Sequence, residues 1–248
     1  MRIASSEIEG VNGVDIGYIV NGGDQALHRV RARHCVLACF NMGLPYILDG
    51  LPERQALALK QNIKAPLVYS NVAVRNWEPW VKLGAHDIFA VNNFHSRIKL
   101  DYPVSIGDYS CSPDPSHPTI VHMVHVPSVE GAPDVATALR MARKTLFSNK
   151  FEDIEGHIRN DLNQILGPAG FDADRDILGI TINRWSHGYS WFENSLSKAA
   201  QESQTYETYT RQPLAGGLIT IANSDSGWSA YAHSAIDQAH RAVQELVL

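Results

Sequence analysis

The feature that most constrains the fold is the C-terminal segment from Arg211 to Leu248. Within it, the apolar run Leu218 to Ala222 follows a Gly-Gly pair, which is typical of a buried strand. The next five residues, Asn223 to Gly227, are rich in types that form turns and cap helices. A helix is predicted after them, with seven apolar residues at helical spacing on one face: Ala232, Ala235, Ile236, Ala239, Ala242, Val243 and Leu246.

A strand, a small-residue turn and a helix in this order predict a ligand-binding function as well as a local structure. The turn directs unpaired backbone N–H groups and the positive end of the helix toward one point. The segment is therefore suited to hold an anion or a polarised ring edge. An ordinary strand–helix connection has the same pattern, and the pattern alone does not separate the two.

Composition excludes several classes of protein. The chain has 248 residues, 44% of them hydrophobic, which suffices for one large domain or two. Its net charge of −5 argues against a nucleic-acid surface, and no apolar run approaches the roughly 18 residues of a membrane span. The cysteines Cys35, Cys39 and Cys111 lack the spacing of a zinc site or a disulfide framework, and Cys35 and Cys39 are predicted to be buried free thiols.

The remaining pattern predicts a mixed sheet backed by helices. We expect β structure over residues 1–39, with 34–39 as a strand buried on both faces. Helices are predicted at 52–63, 135–147 and 151–166, the last ending at a Gly-Pro pair. Strands are predicted at 67–74, 86–91, 97–100, 119–126 and 177–185, and irregular chain at 107–118 and 195–212.

Three groups of residues invite a chemical interpretation. The segment Asn183 to Tyr189 is rich in aromatics, although such a strand more often belongs to a core. A metal site is not expected, because His122 and His125 lie three apart on a predicted strand and so face opposite sides. The carboxylates between Phe151 and Asp161 are expected to form a solvated helix face.

The C-terminal segment resembles the flavin-binding segment of FAD-dependent amine oxidases. The matching residues are A-N-S-D at 222–225 and W-S-A-Y-A-H-S-A at 228–235. The resemblance is closest to bacterial spermidine dehydrogenase-like flavoproteins, through I-A-N-S-D at 221–225, A-I-D-Q-A-x-R-A-V at 235–243 and P-L-V-Y-S-N-V-A-V-R-N-W at 66–77. Two residues depart from the family pattern, since Asn223 replaces a glycine and Ala232 replaces a methionine.

The resemblance implies an α/β (mixed α+β) fold, the C-terminal half of a two-domain FAD/NAD(P)-binding flavoprotein. Residues 1–50 would hold late strands of the FAD-binding domain, 51–200 a mixed-sheet substrate domain with helices, and 201–248 the closing strand–helix segment of the FAD domain. The cofactor-binding residues implied are Asn223, Ser224, Asp225, Ala232, Trp185 and Gly188.

The implied activity is hydride transfer from the carbon beside an amine nitrogen to FAD, on a small, polyamine-like substrate. Tyr189 and Tyr231 would form a slot beside the flavin that orients the amine. His187 is a candidate to assist deprotonation of the amine, although a histidine beside a glycine at a strand end is more often a hydrogen-bonding residue. No metal is required. Neither the electron acceptor nor the oligomeric state follows from the resemblance, and it leaves periplasmic and cytoplasmic locations open.

The motif G-x-G-x-x-G, which lets backbone approach a dinucleotide pyrophosphate, does not occur in the sequence. We therefore expect a C-terminal portion of a longer flavoprotein, inactive as an isolated chain. Two alternatives remain at this point. One is a non-catalytic truncated product, and the other is a different flavin enzyme of the same fold, such as an amino-acid oxidase or a desaturase.

Overall fold

The structure is a computed structural model that describes residues 1–23, 25–191 and 205–246. Its strands are β1 (Arg2–Ile8), β2 (Val11–Ile19), β3 (Leu27–Ala32), β4 (Cys35–Leu37), β5 (Lys64–Val74), β6 (Asp87–Phe89), β7 (Arg97–Leu100), β8 (Thr119–His125), β9 (Ile177–Ser190) and β10 (Ile219–Ile221). Its helices are α1 (Glu53–Gln61), α2 (Glu78–Leu83), α3 (Val135–Ser148), α4 (Phe151–Leu166), α5 (Ala173–Asp176), α6 (205–210) and α7 (Ala232–Gln244).

Contacts divide the chain into two compact units. Unit 1 comprises Met1–Lys64 and Tyr189–Leu248, and unit 2 comprises Ala65–Gly188. The sequence predicts borders near 50 and 200 instead. The contacts divide the chain at Lys64 and Tyr189, inside β5 and β9, and the functional borders near 50 and 200 stay predictions.

Unit 1 holds two small sheets. Strands β1, β2 and β3 form an antiparallel meander, and β4 pairs in parallel with β10, Cys35 opposite Ile219 and Leu37 opposite Ile221. A 3-10 helix at Asn41–Tyr46 and helix α1 complete this part. Its core consists of Ile3, Val14, Leu37, Leu44, Leu48, Leu59, Ile219 and Ile221.

Unit 2 is a five-stranded sheet in the order β6-β7-β8-β5-β9, with helices on one face. Strand alternation sends every second side chain of β5 and β8 into the core, and the α4 periodicity supplies the other side. Asp134 caps α3 by accepting a 2.7 Å bond from the N–H of Thr137. The core residues include Val68, Val72, Val74, Trp80, Ile98, Val121, Met123, Leu146, Ile154, Ile158, Leu162 and Leu166.

Most predicted elements are present, and several details are wrong. The bounds of β7 and α4 agree to the residue, and the irregular chain at 107–118 is confirmed. Residues 34–39 are not a strand buried on both faces, because β4 ends at Leu37, Val36 is 42% exposed and Cys39 is exposed. The predicted irregular stretch 195–212 contains helix α6, while its part at 195–204 lies outside the described residues.

The apolar face of α7 is not the face that is buried. Ser234, Gln238 and Ala242 are buried, whereas Ile236 is 68% exposed and Val243 is exposed. The buried residues follow one another at four-residue spacing, so α7 packs on a face that is mostly polar. Hydrophobic periodicity therefore identifies this helix without identifying its contact face.

Asp161 does not lie on a solvated helix face, because its carboxylate is buried against His95. His95 Nδ1 lies 2.8 Å from Asp161 Oδ2, and the backbone N–H of His95 donates to the same oxygen at 3.1 Å. Ser70 Oγ lies 3.4 Å from His95 Nε2. All three side chains are buried and bonded to one another, so this Ser-His-Asp arrangement holds the 92–96 segment against α4.

Candidate functional site

The residues that follow β4 and β10 form the candidate site of unit 1. Because the two strands are parallel, their carboxyl ends lie at the same edge, where α/β proteins place ligands. Cys39 to Asn41 follow β4, and Asn223 to Asp225 follow β10. The predicted turn is confirmed as a 3-10 helix at Ser224–Gly227.

Asn223 ties the two strand ends together. Its Nδ2 donates to the backbone oxygen of Cys39 at 2.5 Å and to Asn41 Oδ1 at 3.2 Å. Its Oδ1 accepts from the backbone N–H of Ser226 at 2.9 Å and caps the 3-10 helix. A glycine at this position would make none of these bonds, so the asparagine has a definite structural function here.

Asp225 forms a buried ion pair with Lys64, the first residue of β5. The Lys64 Nζ lies 2.6 Å from Asp225 Oδ1, and Asp225 is 2% exposed. The contact is an ion pair without the directed geometry of a hydrogen bond, since Oδ1 has no hydrogen-bond partner. Lys64 Nζ also lies 4.4 Å from the centre of the Phe40 ring. A paired charge is thus retained at a buried position, where an unpaired one would be costly.

Asn41 supplies a buried donor that no described group satisfies. It is fully buried, its Oδ1 accepts from Asn223, and its Nδ2 has no hydrogen-bond partner. An unsatisfied buried donor costs about 1–3 kcal/mol unless a ligand completes it. The carbonyl and ribityl oxygens of a flavin are acceptors of the kind it needs, so the donor set fits one edge of such a group.

Two arginines and a glycine fix the turn. Arg211 Nε donates to the backbone oxygen of Ser226 at 2.7 Å, and Arg241 NH2 donates to the backbone oxygen of Ile221 at 2.5 Å. A Cβ on Gly227 would lie 2.3 Å from Ser234 Oγ. The turn and α7 therefore approach more closely than any residue with a side chain would allow.

Trp228 ends the turn in the left-handed region of the backbone. Its φ is 47°, and its side chain is buried. Its N–H donates to the backbone oxygen of Asp225 at 2.9 Å. A bulky residue rarely adopts this conformation, and strain of this kind concentrates at functional sites.

The other predicted site residues of unit 1 lie at the start of α7 and the end of β9. Ala232 is the exposed first residue of α7, and its N-cap Tyr231 is 67% exposed with its ring stacked on His233 at 5.5 Å between centroids. Tyr189 is the first residue of the second segment of unit 1 and is 47% exposed. Both tyrosine rings are therefore accessible.

Trp185, His187 and Gly188 belong to unit 2, whereas the turn belongs to unit 1. Trp185 is exposed, and Ser186 Oγ lies 3.0 Å from His187 Nδ1. A Cβ on Gly188 would lie 2.3 Å from Leu67 Cδ2 and 3.1 Å from the backbone oxygen of Ala65. The contact of β9 with β5 thus gives Gly188 a packing function independent of any cofactor.

Sequence reasoning missed Asn41, Asn62 and Lys64. Asn62 Nδ2 donates to the backbone oxygen of Asp225 at 3.2 Å and to Ser190 Oγ at 3.2 Å. A signal for Lys64 exists in the sequence, because a lysine that opens an apolar strand must find a counter-charge if it is buried. No comparable signal marks the two asparagines, since both reach their partners across most of the chain.

Two cysteines, Cys35 and Cys39, lie in or after β4 at the candidate site of unit 1. The prediction that both are buried is wrong, because Cys35 is half-buried and Cys39 is exposed as a residue. Desolvation of the sulfur atoms nevertheless raises the pKa of both thiols, which keeps them protonated at neutral pH. Within residues 1–23, 25–191 and 205–246, no group of three or more His, Cys, Asp or Glu residues is placed to hold a metal ion. In the same residues, no helix has the length and apolarity needed to span a bilayer.

Comparison with solved structures relates this architecture to amine oxidases. The chain is similar to a variant of putrescine oxidase, with a TM-score of 0.65 and 15% identity over 98% of this chain and 48% of that one. Cyclohexylamine oxidase from Brevibacterium oxydans gives a TM-score of 0.64 and 13% identity over 98% of this chain and 47% of the other. The chain has the fold of the C-terminal portion of these flavoproteins.

Wild-type putrescine oxidase bound to putrescine gives a TM-score of 0.58 and 16% identity over 97% of this chain and 46% of that one. The chain thus spans about half the length of the structures that it matches. No protein-family model and no curated protein sequence matches it. At this identity the comparison establishes the fold, and the predicted mixed α/β class is confirmed.

Proposed function

We propose that this chain supplies the substrate domain and one flavin-binding edge of an FAD-dependent amine oxidoreductase. The observation that carries the proposal is the cluster at the carboxyl ends of β4 and β10. There the unsatisfied Asn41 donor and the Lys64–Asp225 ion pair lie beside a turn that Asn223 caps. The fold shared with amine oxidases supports the same conclusion.

The residues of the turn would hold the cofactor edge. Asn41 Nδ2 would donate to a flavin or ribityl oxygen, while Asn223, Ser224 and Asp225 keep the turn in shape. The start of α7 at Ala232 would add the positive end of a helix. Lys64, held by Asp225, places a fixed positive charge at the site, where it would stabilise negative charge that develops during reduction.

Bound FAD would accept a hydride from the carbon next to an amine nitrogen. The residues of this chain would position the amine and exclude water. We assign to Tyr189 and Tyr231 the orientation of a small amine between two aromatic faces. Trp185 and Gly188 would lie near the ring, and His187 would accept a proton from the ammonium form of the substrate. The more specific proposal is that the substrate is polyamine-like, and it rests on the resemblance at 221–243.

The proposal predicts a dependence on a second segment. FAD binding normally needs a glycine-rich turn for the pyrophosphate, and this sequence contains none. Losing those contacts while keeping the entropy cost of association leaves little net affinity. The 248-residue chain expressed by itself should therefore be colourless and inactive.

The test joins this chain to a dinucleotide-binding segment that carries G-x-G-x-x-G and compares the product with the chain alone. The joined protein should be yellow, and anaerobic putrescine or spermidine should bleach it. Asn41→Ala should lower flavin retention, and Asn12→Ala on the exposed part of β2 should leave it unchanged. A flavin-loaded protein that no amine in a panel bleaches contradicts the proposal, as does one equivalent of flavin on the chain alone.

A further inference from the structure

Unit 2 contains a cavity of about 450 Å³ that the proposed amine chemistry does not use. It lies where β7 ends and β8 begins, beside the irregular segment 101–118. Its walls are mainly aromatic and apolar. They include Trp77, Leu100, Tyr102, Pro103, Tyr109 and Cys111.

The cavity is remote from the predicted site residues of unit 2. It lies at the end of the sheet where β5 stops and β9 starts, because its lining residue Thr119 pairs with Val74 at the end of β5, and the next residue, Arg75, donates its N–H to the backbone oxygen of Asp176. Trp185, His187 and Gly188 lie at the other end of β9. Ten residues of extended strand separate Ile177 from His187, which corresponds to roughly 30 Å.

The two carboxylates at this cavity already have donors. Asp87 accepts from Arg97 Nε at 2.9 Å and from Arg97 NH2 at 2.5 Å. Asp101 Oδ1 accepts from the backbone N–H of Tyr102 at 2.8 Å and lies 3.0 Å from His122 Nε2. These acceptors are therefore committed to protein groups and offer little to a cationic ligand.

Lys99 is the lysine at the cavity, and in the described part of the chain no carboxylate lies within ion-pair distance of it, although its charge contributes to the lowered pKa of Asp87. In the β6–β7 register it lies opposite Asp87, yet that carboxylate is held by Arg97. Its Nζ instead lies 3.9 Å from the centre of the Tyr102 ring. A half-buried ammonium against an aromatic ring retains N–H donors for an incoming anion.

We propose that this cavity binds a small aromatic carboxylate. The flat ring would lie against Trp77, Tyr102 and Tyr109, and its carboxylate would pair with Lys99. Aromatic walls favour planar rings, and a partly desolvated ion pair adds to the affinity. Trp77 is already held in place, since its Nε1 donates to Ser112 Oγ at 2.9 Å. The site does not depend on FAD or on the oxidation of amines.

The proposal is tested with three ligands of matched size on the 248-residue chain: benzoate, benzamide and benzylamine. Isothermal titration should give a Kd for benzoate about threefold to tenfold below that of benzamide, with benzylamine the weakest. Lys99→Gln should abolish the preference for benzoate over benzamide. Lys144→Gln, an exposed lysine on α3, should leave it unchanged.

Several results would overturn the proposal. These are equal affinity for benzoate and benzamide, tighter binding of benzylamine, no binding of any of the three, or an unchanged preference in Lys99→Gln. The three-ligand comparison needs only the unaltered chain, so it decides the matter even where the variant fails to fold. Because no flavin is present in this assay, failure here leaves the proposed amine chemistry untouched.

Discussion

Lys64 and Asp225 form an ion pair at 2.6 Å, although one opens β5 and the other lies in the turn after β10. Both side chains are almost fully buried. The pair joins the first segment of unit 1 to its C-terminal segment at the proposed flavin edge. Burying two charges is rarely the most stable option, so their retention points to a function for the charge itself.

Removing Asp225 should destabilise unit 1. Asp225→Ala leaves the Lys64 ammonium buried without its counter-charge, which should cost about 3 kcal/mol in the free energy of unfolding. Urea denaturation measures the loss. Replacing both residues, as Lys64→Met with Asp225→Ala, should recover part of it, and Asp237→Ala on the exposed side of α7 should have little effect. An unchanged midpoint in Asp225→Ala would show that the pair contributes nothing to stability.

Gly227 should tolerate no side chain. A methyl group there meets Ser234 Oγ at 2.3 Å, so Gly227→Ala should destabilise the chain by about 1–3 kcal/mol. Adding Ser234→Ala should relieve the clash. The matched control is Gly156→Ala in α4, where a Cβ meets nothing within 4 Å and helix propensity should favour alanine by about 0.5–1 kcal/mol. Equal effects of the two glycine substitutions would refute the close contact.

Lowering the pH should reduce the folding stability of unit 2 through protonation of His125. Burial lowers the pKa of His125 to about 4, and its Nδ1–H donates to the backbone oxygen of Phe94 at 2.6 Å. His95 and His157 lie near the ring and further disfavour its charge, and Asp161 partly offsets them. The unfolded chain, with an ordinary histidine pKa near 6.5, takes up the proton first. Stability should therefore fall as the pH drops from about 6.5 to about 4, and no further through this group below that.

The loss in the free energy of unfolding that is attributable to His125 should be about 2 kcal/mol or less, since the ring is partly exposed. Urea midpoints measured across this pH range test it. His125→Gln keeps a donor for Phe94 and should flatten the profile between pH values of about 6.5 and 4, whereas His240→Gln on exposed α7 should not. A His125→Gln profile that parallels the unaltered protein would exclude the histidine as the cause.

The two accessible tyrosines should govern flavin reduction. In flavin-loaded protein, Tyr231→Leu and Tyr189→Leu should each slow reduction by amine by roughly tenfold to a hundredfold, because substrate orientation is lost. Anaerobic stopped-flow absorbance measures this rate. Tyr46→Leu, also exposed in unit 1, is the control and should react normally. Unchanged rates in both tested variants would dismiss the aromatic slot.

Most of the fold could be predicted from local sequence patterns. Helix α4 could be predicted to the residue because its periodic apolar face ends at a Gly-Pro pair, and β7 because its apolar and basic residues alternate. The buried face of α7 could not be predicted from the pattern. The contact with Gly227 places Ser234 and Gln238 in the interior, and the apolar face stays outside. Tertiary contact overrides periodicity where a turn approaches this closely.

The candidate site was only half predictable. The turn at Asn223 to Asp225 follows from capping chemistry that is local in sequence. Asn41 and Lys64 meet that turn only in the folded chain, and Asp161 was misassigned because His95, its partner, is 66 residues away. Residues whose function depends on distant partners leave no local signature.

Because β4 pairs with β10, the candidate site can form only after both strands have been synthesised. Cys39 and Asn223, which bond across the ends of these strands, are 184 residues apart, whereas unit 2 is continuous in sequence. At a synthesis rate of about 5–20 residues per second, β4 waits roughly 10–40 s for its partner. Unit 2 can complete its sheet during that interval, because its contacts need no later residue. The proposed flavin edge can thus assemble only late in synthesis, and until then β4 has an unpaired edge where β10 will bind.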